Sequence, residues 1–135
     1  MTTQPTRVMI VDDHKLVRSG LRVALKELAG FDVVGEAANG EAAVRLSEEL
    51  QPDVVLMDIK MPIMDGIAAT RAITQSQPGV RVVALSRLAD KQTVQAVLQA
   101  GAVSYLEKQV SVDELIEAIH AVSNSPSNTA SRSGR

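Results

Sequence analysis

Pro52-Asp53-Val54-Val55-Leu56-Met57-Asp58 is the stretch whose reading decides the fold. Four apolar residues run without a polar break between Asp53, which follows a helix-breaking proline, and a second acid. A half-buried strand alternates apolar and polar residues, whereas a strand covered on both faces is apolar throughout. The run is also too short for a buried helix. Residues 53–57 therefore predict an inner strand of a parallel sheet, and Asp58 falls at its carboxyl end.

Outward from this strand, similar short runs recur at 7–11, 31–37, 81–85 and 103–107. Amphipathic segments lie between them. The first carries Val17, Leu21, Leu25 and Leu28 at helical spacing and stops at Gly30. The second begins after an Asn39-Gly40 turn and places Ala43, Leu46 and Leu50 on one face. Asp65 caps a third over 66–76, and Asp90 caps a fourth that runs to about Ala100, before Gly101. Ser111 and Glu114 have capping-box spacing, and Val112, Leu115, Ile116, Ile119 and Val122 form the last apolar stripe. The pattern is (βα)5, an α/β fold with a doubly wound, five-stranded parallel sheet and right-handed crossovers.

The 135 residues suffice for one domain with a real core. We place it at 7–122, with a disordered N-terminus at 1–6 and a polar, flexible tail or linker at 123–135. Cysteine is absent, which excludes disulfides, thiolate catalysis and zinc–thiolate sites and fits a reducing compartment. No apolar stretch has signal-peptide or membrane-span length, so the protein reads as cytoplasmic, without a membrane partner. A net charge of −2, no basic stripe and only Phe31 and Tyr105 as aromatics argue against direct nucleic-acid binding.

Parallel strands all end at one edge, where ligands of doubly wound sheets bind. That edge collects Asp12-Asp13 after Val8-Met9-Ile10-Val11, Asp58, Ser86 after Val82-Val83-Ala84-Leu85, and Lys108. Crowded carboxylates repel unless a cation joins them. The set reads as a divalent metal site beside one reactive carboxylate, with Ser86 and Lys108 placed to hold an anionic group. Plainer roles compete at each position. Asp13 alone suits a helix N-cap, Asp58 a solvated loop, Ser86 a polar loop residue and Lys108 a surface lysine. Tyr105 suits core packing, His14 an exposed loop, and Met57, Met61 and Met64 apolar packing.

Taken together these residues resemble the receiver domain of two-component response regulators. Asp58-Ile59-Lys60-Met61-Pro62-Ile63-Met64-Asp65-Gly66 is similar to the family's phosphoacceptor and the loop after it. Val11-Asp12-Asp13-His14 resembles its acid pair. Ser86 stands at its Ser/Thr position, Tyr105 at its switch aromatic and Lys108 at its lysine. Ala102-Val103-Ser104-Tyr105-Leu106-Glu107-Lys108-Gln109 is most like the LuxR/NarL-type DNA-binding regulators. Gln109 stands where many receivers have proline, and a cis bond before it would cost about 2.5–4 kcal/mol.

The resemblance implies a flavodoxin-like sheet of order 2-1-3-4-5. It implies Mg2+, with Mn2+ as a substitute, at Asp12, Asp13, Asp58 and the Lys60 main-chain carbonyl. A sensor histidine kinase would transfer phosphoryl to Asp58, with Ser86 and Lys108 binding the phosphate and Ser86 and Tyr105 forming the switch. Lys60, Arg87 and Leu88 would tune the phosphoryl lifetime. The domain would catalyse its own phosphorylation and dephosphorylation without being a conventional enzyme. A phosphorylation-dependent homodimer is implied, and DNA is a partner only through an output domain absent from this chain.

Three other functions share parts of this pattern. Haloacid-dehalogenase hydrolases also use an aspartate nucleophile with magnesium, but their acids follow the first strand as Asp-x-Asp. A flavodoxin-like cofactor binder would place phosphate at Asp12-Asp13-His14-Lys15, which is acidic and lacks glycine. A receiver fold kept only for protein binding would not need Asp12, Asp13, Asp58, Ser86 and Lys108 together.

Overall fold

Five strands and five helices alternate along the chain in a computed structural model that describes residues 4–87 and 90–123. They are β1 Arg7–Val11, α1 Lys15–Ala29, β2 Asp32–Ala37, α2 Gly40–Leu50, β3 Val54–Asp58, α3 Gly66–Ser76, β4 Arg81–Ser86, α4 Lys91–Gln99, β5 Ser104–Glu107 and α5 Val112–Ser123. The sheet is parallel, in the order β2-β1-β3-β4-β5. This is the flavodoxin-like arrangement that the resemblance implied. The central strand β3 is buried at all five positions, as its unbroken apolar run required.

Side chains alternate between two cores, one on each sheet face. Val8, Ile10, Val54, Leu56, Val83 and Leu85 pack with Leu25 of α1 and with Leu115 and Ile119 of α5. Met9, Val11, Val55, Met57, Val82 and Ala84 pack with Ala43 of α2, Ala69 and Ile73 of α3 and Val97 of α4. Met61 and Met64 lie against this second core, so Met57, Met61 and Met64 serve packing.

Expected helix signals are in place. Asp65 and Asp90 accept from Ala68 N–H at 2.9 Å and Thr93 N–H at 2.8 Å. Ser111 and Glu114 cap each other reciprocally at 3.1 Å. Gly30 closes α1 at φ 69°, with Phe31 N–H donating back to Leu25 O at 3.2 Å.

Several details differ from the sequence reading. Val17 and Leu28 are 38% and 66% exposed, and the inward face of α1 carries Arg18, Leu21, Leu25 and Ala29 instead. Apolar residues cover more than one face of this helix, so periodicity alone does not set its rotation. The Leu21–Leu25 contacts and a polar anchor at Arg18 set it. Val112 is likewise exposed, in the first turn of α5. Asn39-Gly40 is the start of α2 rather than a free turn, with Asn39 accepting from Ala42 N–H at 2.8 Å. Residues 4–6 carry no helix or strand, while Ser123, assigned to the tail, ends α5. The rest of the tail and Leu88 lie outside the described residues.

Candidate functional site

The carboxyl edge brings the expected residues together. Asp12 follows β1, Asp58 and Ser86 end β3 and β4, and Lys108 follows β5. Asp12, Asp58 and Ser86 are 2%, 5% and 5% exposed. Lys108 Nζ donates to Asp12 Oδ2 at 2.7 Å and lies 3.3 Å from Asp58 Oδ1. Its main-chain N–H donates to Ser86 O at 2.8 Å, which ties the lysine to the end of β4. The described peptide bonds include no cis bond, so Lys108–Gln109 is trans.

Charge in this corner is unbalanced. Burial, then the Asp12 charge, hold the Asp58 carboxyl above the usual range; Lys108 opposes them, and Asp13 adds to the rise. Burial works to lower the Lys108 pKa, but its hydrogen bond to Asp12 and the Asp58 charge carry it above its ordinary value. One ammonium thus faces several carboxylates.

Ligand atoms of Asp12, Asp13, His14 and Asp58 lie within 4.8 Å of one another. Asp13 is not the helix cap that its position allows. His14 occupies the α1 N-cap without a side-chain cap bond, and Asp13 stays beside Asp12 with its carboxylate 30% exposed. The His14 ring lies 3.1 Å from Asp12 and 3.2 Å from Asp13. Carboxylate oxygens around unbalanced negative charge fit a hard divalent cation.

The loop after β3 is shaped by close approach. Gly66 N–H donates to Ile59 O at 2.7 Å, and a Cβ on Gly66 would come within 2.1 Å of Asp58 O. Only glycine lets α3 start this near the acid. Met64 N–H bonds Pro62 O at 2.7 Å around Ile63, a γ-turn with φ 71°. Gly40 N–H then holds Met64 O at 2.9 Å.

A cavity of about 880 Å³ opens over the edge, lined by Asp58, Ser86 and Lys108 together with His14, Lys60 and Arg87. Lys60 and Arg87 are exposed. Tyr105 on β5 lies opposite Ala84 and packs on the core, half-buried. Its hydroxyl is buried without a hydrogen-bond partner among the described residues. Burial, then Glu107, push its phenol pKa up.

Arg18 and Glu36 escaped the sequence reading. Arg18 Nη1 donates to Asp12 O at 2.8 Å, and its Nε donates to Glu36 Oε1 at 3.0 Å. Arg22 holds the other Glu36 oxygen at 2.9 Å. The available signal was a charge in phase with Leu21 and Leu25 on α1.

Comparisons with known proteins agree in direction. A family model described as the response regulator receiver domain matches residues 8–120. The response regulator GacA of Pseudomonas aeruginosa is 42% identical over 116 residues, which are 86% of this chain and 54% of that protein. The transcriptional regulatory protein LiaR of Bacillus subtilis is 43% identical over 117 residues, 87% of this chain and 56% of that one. The chain thus spans about half the length of the curated relatives it matches. Among solved structures, the signal receiver domain of NarL from Mycobacterium tuberculosis superimposes with a TM-score of 0.85 at 36% identity, covering 90% of this chain and 98% of that one. A CheX–CheY–BeF3–Mg2+ complex from Borrelia burgdorferi gives 0.82 at 31% identity, over 87% and 89% of the two chains.

Proposed function

This chain belongs to the receiver-domain family of two-component response regulators, and we propose that Asp58 is the carboxylate that accepts its phosphoryl group. The observation that carries the reading is the setting of Asp58. It is buried at the end of the central strand, in contact with Lys108, and opens on the cavity. In the proposed step an Asp58 oxygen attacks phosphorus and the bond to the donor's histidine nitrogen breaks, leaving an acyl phosphate. The donor is a sensor histidine kinase.

Mg2+, with Mn2+ as a substitute, draws negative charge from the phosphoryl oxygens when bound. Asp13 and Asp58 would hold it directly, Asp12 directly or through water, and the Lys60 carbonyl would supply a further ligand. Lys108 pairs with a phosphoryl oxygen, and Ser86 donates a hydrogen bond to another. Ser86 turning toward the phosphate releases space that Tyr105 fills, which carries the change to the β4–α4 surface. Lys60, Arg87 and Leu88 set how long the phosphoryl group survives. The domain catalyses its own loading and hydrolysis and acts as a switch rather than a conventional enzyme.

In the whole protein this cytoplasmic switch drives a phosphorylation-dependent homodimer. It contacts DNA only through a helix-turn-helix output domain joined through residues 124–135. LiaR, by its name, regulates transcription, which supports such an output.

Intact mass spectrometry after incubation with acetyl phosphate and Mg2+ tests the reading. One phosphoryl adduct, mapped to Asp58 and absent from Asp58→Asn, is expected. An adduct retained in that variant on another residue would sink the assignment.

A further inference from the structure

Asp12 is held at every polar atom. Its N–H donates to Ala37 O at 3.0 Å, and its carboxylate receives Lys108 at 2.7 Å and the His14 N–H at 2.9 Å. Its main-chain carbonyl is held by Arg18 at 2.8 Å. That carbonyl shares one planar unit with the nitrogen and Cα of Asp13, so the bond that orients it also orients Asp13. Asp13 takes no part in capping α1, and the Arg18 guanidinium bonds the carbonyl of its peptide.

The guanidinium is aimed by an irregularity in the sheet. β1 and β2 pair Val8 with Val33, then Met9 with Gly35, skipping Val34. The shift sets Glu36 opposite Ile10, whose side chain faces α1 and α5. Without it Glu36 would fall opposite Val11, which faces α2, α3 and α4. A bulge of this kind re-aims a side chain beside a site. Gly35 accommodates it, since a Cβ there would come within 2.6 Å of Leu50 Cδ1. Glu36 then anchors Arg18 at 3.0 Å, and Arg18 is only 16% exposed.

We propose that Arg18, anchored by Glu36, is a positioning residue that fixes the Asp12–Asp13 peptide and so sets the affinity of the acid cluster for a divalent cation. The proposal rests on reading Asp13 as a metal ligand. Two plainer roles make different predictions. As a neighbouring positive charge, Arg18 would repel the cation, so removing it would tighten binding. As a brace between α1 and β2, its loss would lower Tm and leave affinity alone. Arg18→Lys keeps the charge but loses the planar fork that spans both partners.

Titration with Mg2+ alone, followed by amide chemical shifts, with Tm recorded for each variant, separates these roles. Arg18→Lys and Arg18→Ala should each weaken Mg2+ binding by about 10-fold, as losses of groups that orient metal ligands do. Arg22→Ala removes the other Glu36 partner, and should lower Tm slightly while leaving Mg2+ affinity at the wild-type value. Wild-type affinity in Arg18→Lys, or tighter binding in Arg18→Ala, overturns the proposal while the metal reading stands. Wild-type protein whose Asp13 amide does not respond to Mg2+, or that binds equally well as Asp13→Asn, overturns both.

Discussion

Asp53 and Asp58 bracket the central strand β3, one residue type at two ends of the sheet. Asp53, at the amino edge, is exposed. Its carboxylate accepts the Arg7 N–H at 2.8 Å, and its main chain bonds Arg7 O at 2.9 Å and Arg81 N–H at 3.1 Å. The Arg7 guanidinium takes Gln51 O at 2.7 Å. Polar groups there finish strand ends and meet water. Asp58, at the carboxyl edge, is buried among other acids with Lys108 as its cationic contact. Location at the edge toward which every parallel strand points, more than residue type, separates a strand-end carboxylate from the one proposed to accept phosphoryl.

The largest break in this comparison is chemical. Asp58→Asn should abolish phosphoryl acceptance, whereas Asp53→Asn should load normally and lose only about 0.5–1.5 kcal/mol of stability from its weakened hydrogen bond. Mass spectrometry and denaturant titration read the two, and loading lost in both variants would erase the distinction between the edges.

Two glycines offer a steric version. Gly66→Ala drives a methyl group into Asp58 O and should destabilise by about 3 kcal/mol, with slower loading. Gly79→Ala, at the amino edge, meets nothing within 4 Å and should stay within about 0.5 kcal/mol of wild type. Thermal melts decide, and equal losses would show that the close approach at Gly66 is relieved without cost.

Asp13→Asn removes the charge of a proposed ligand and should weaken Mg2+ binding by about 10-fold, roughly 1.4 kcal/mol. His14→Ala beside it should change affinity less. Equal effects in a calorimetric titration would count against the ligand set. The smallest expected effect is at Arg87, whose side chain lines the cavity. Arg87→Ala should speed both loading by acetyl phosphate and decay of phospho-Asp58 by a few-fold if the side chain shields the pocket. Slower loading in time courses would identify a phosphate contact instead.

Local signals carried most of the fold. The apolar run of β3, the caps at Asp65, Asp90 and Ser111, and the stop at Gly30 each act within a few residues and so are visible in sequence. The edge residues were legible for a similar reason, because parallel strands send every carboxyl end to one side. Less visible were features set by long-range fit. The rotation of α1 depends on Arg18 meeting Glu36, 18 positions away, and Glu36 faces α1 only because β2 skips a residue. The positive φ of Ile63 runs against the preference of a β-branched residue, and no propensity would have placed a γ-turn there.

Tyr105 is the chain's one tyrosine, and tryptophan is absent. Phe31, the other aromatic, packs on the opposite face of the sheet beside His120. Ultraviolet emission from this protein is therefore dominated by a single ring on β5, whose hydroxyl is enclosed without a hydrogen-bond acceptor among the described residues. Any rotation of that ring into water or toward a new acceptor will alter its quantum yield and its near-ultraviolet circular dichroism. The fold thus contains its own optical reporter, able to follow events at the β4–β5 end in real time without an introduced label.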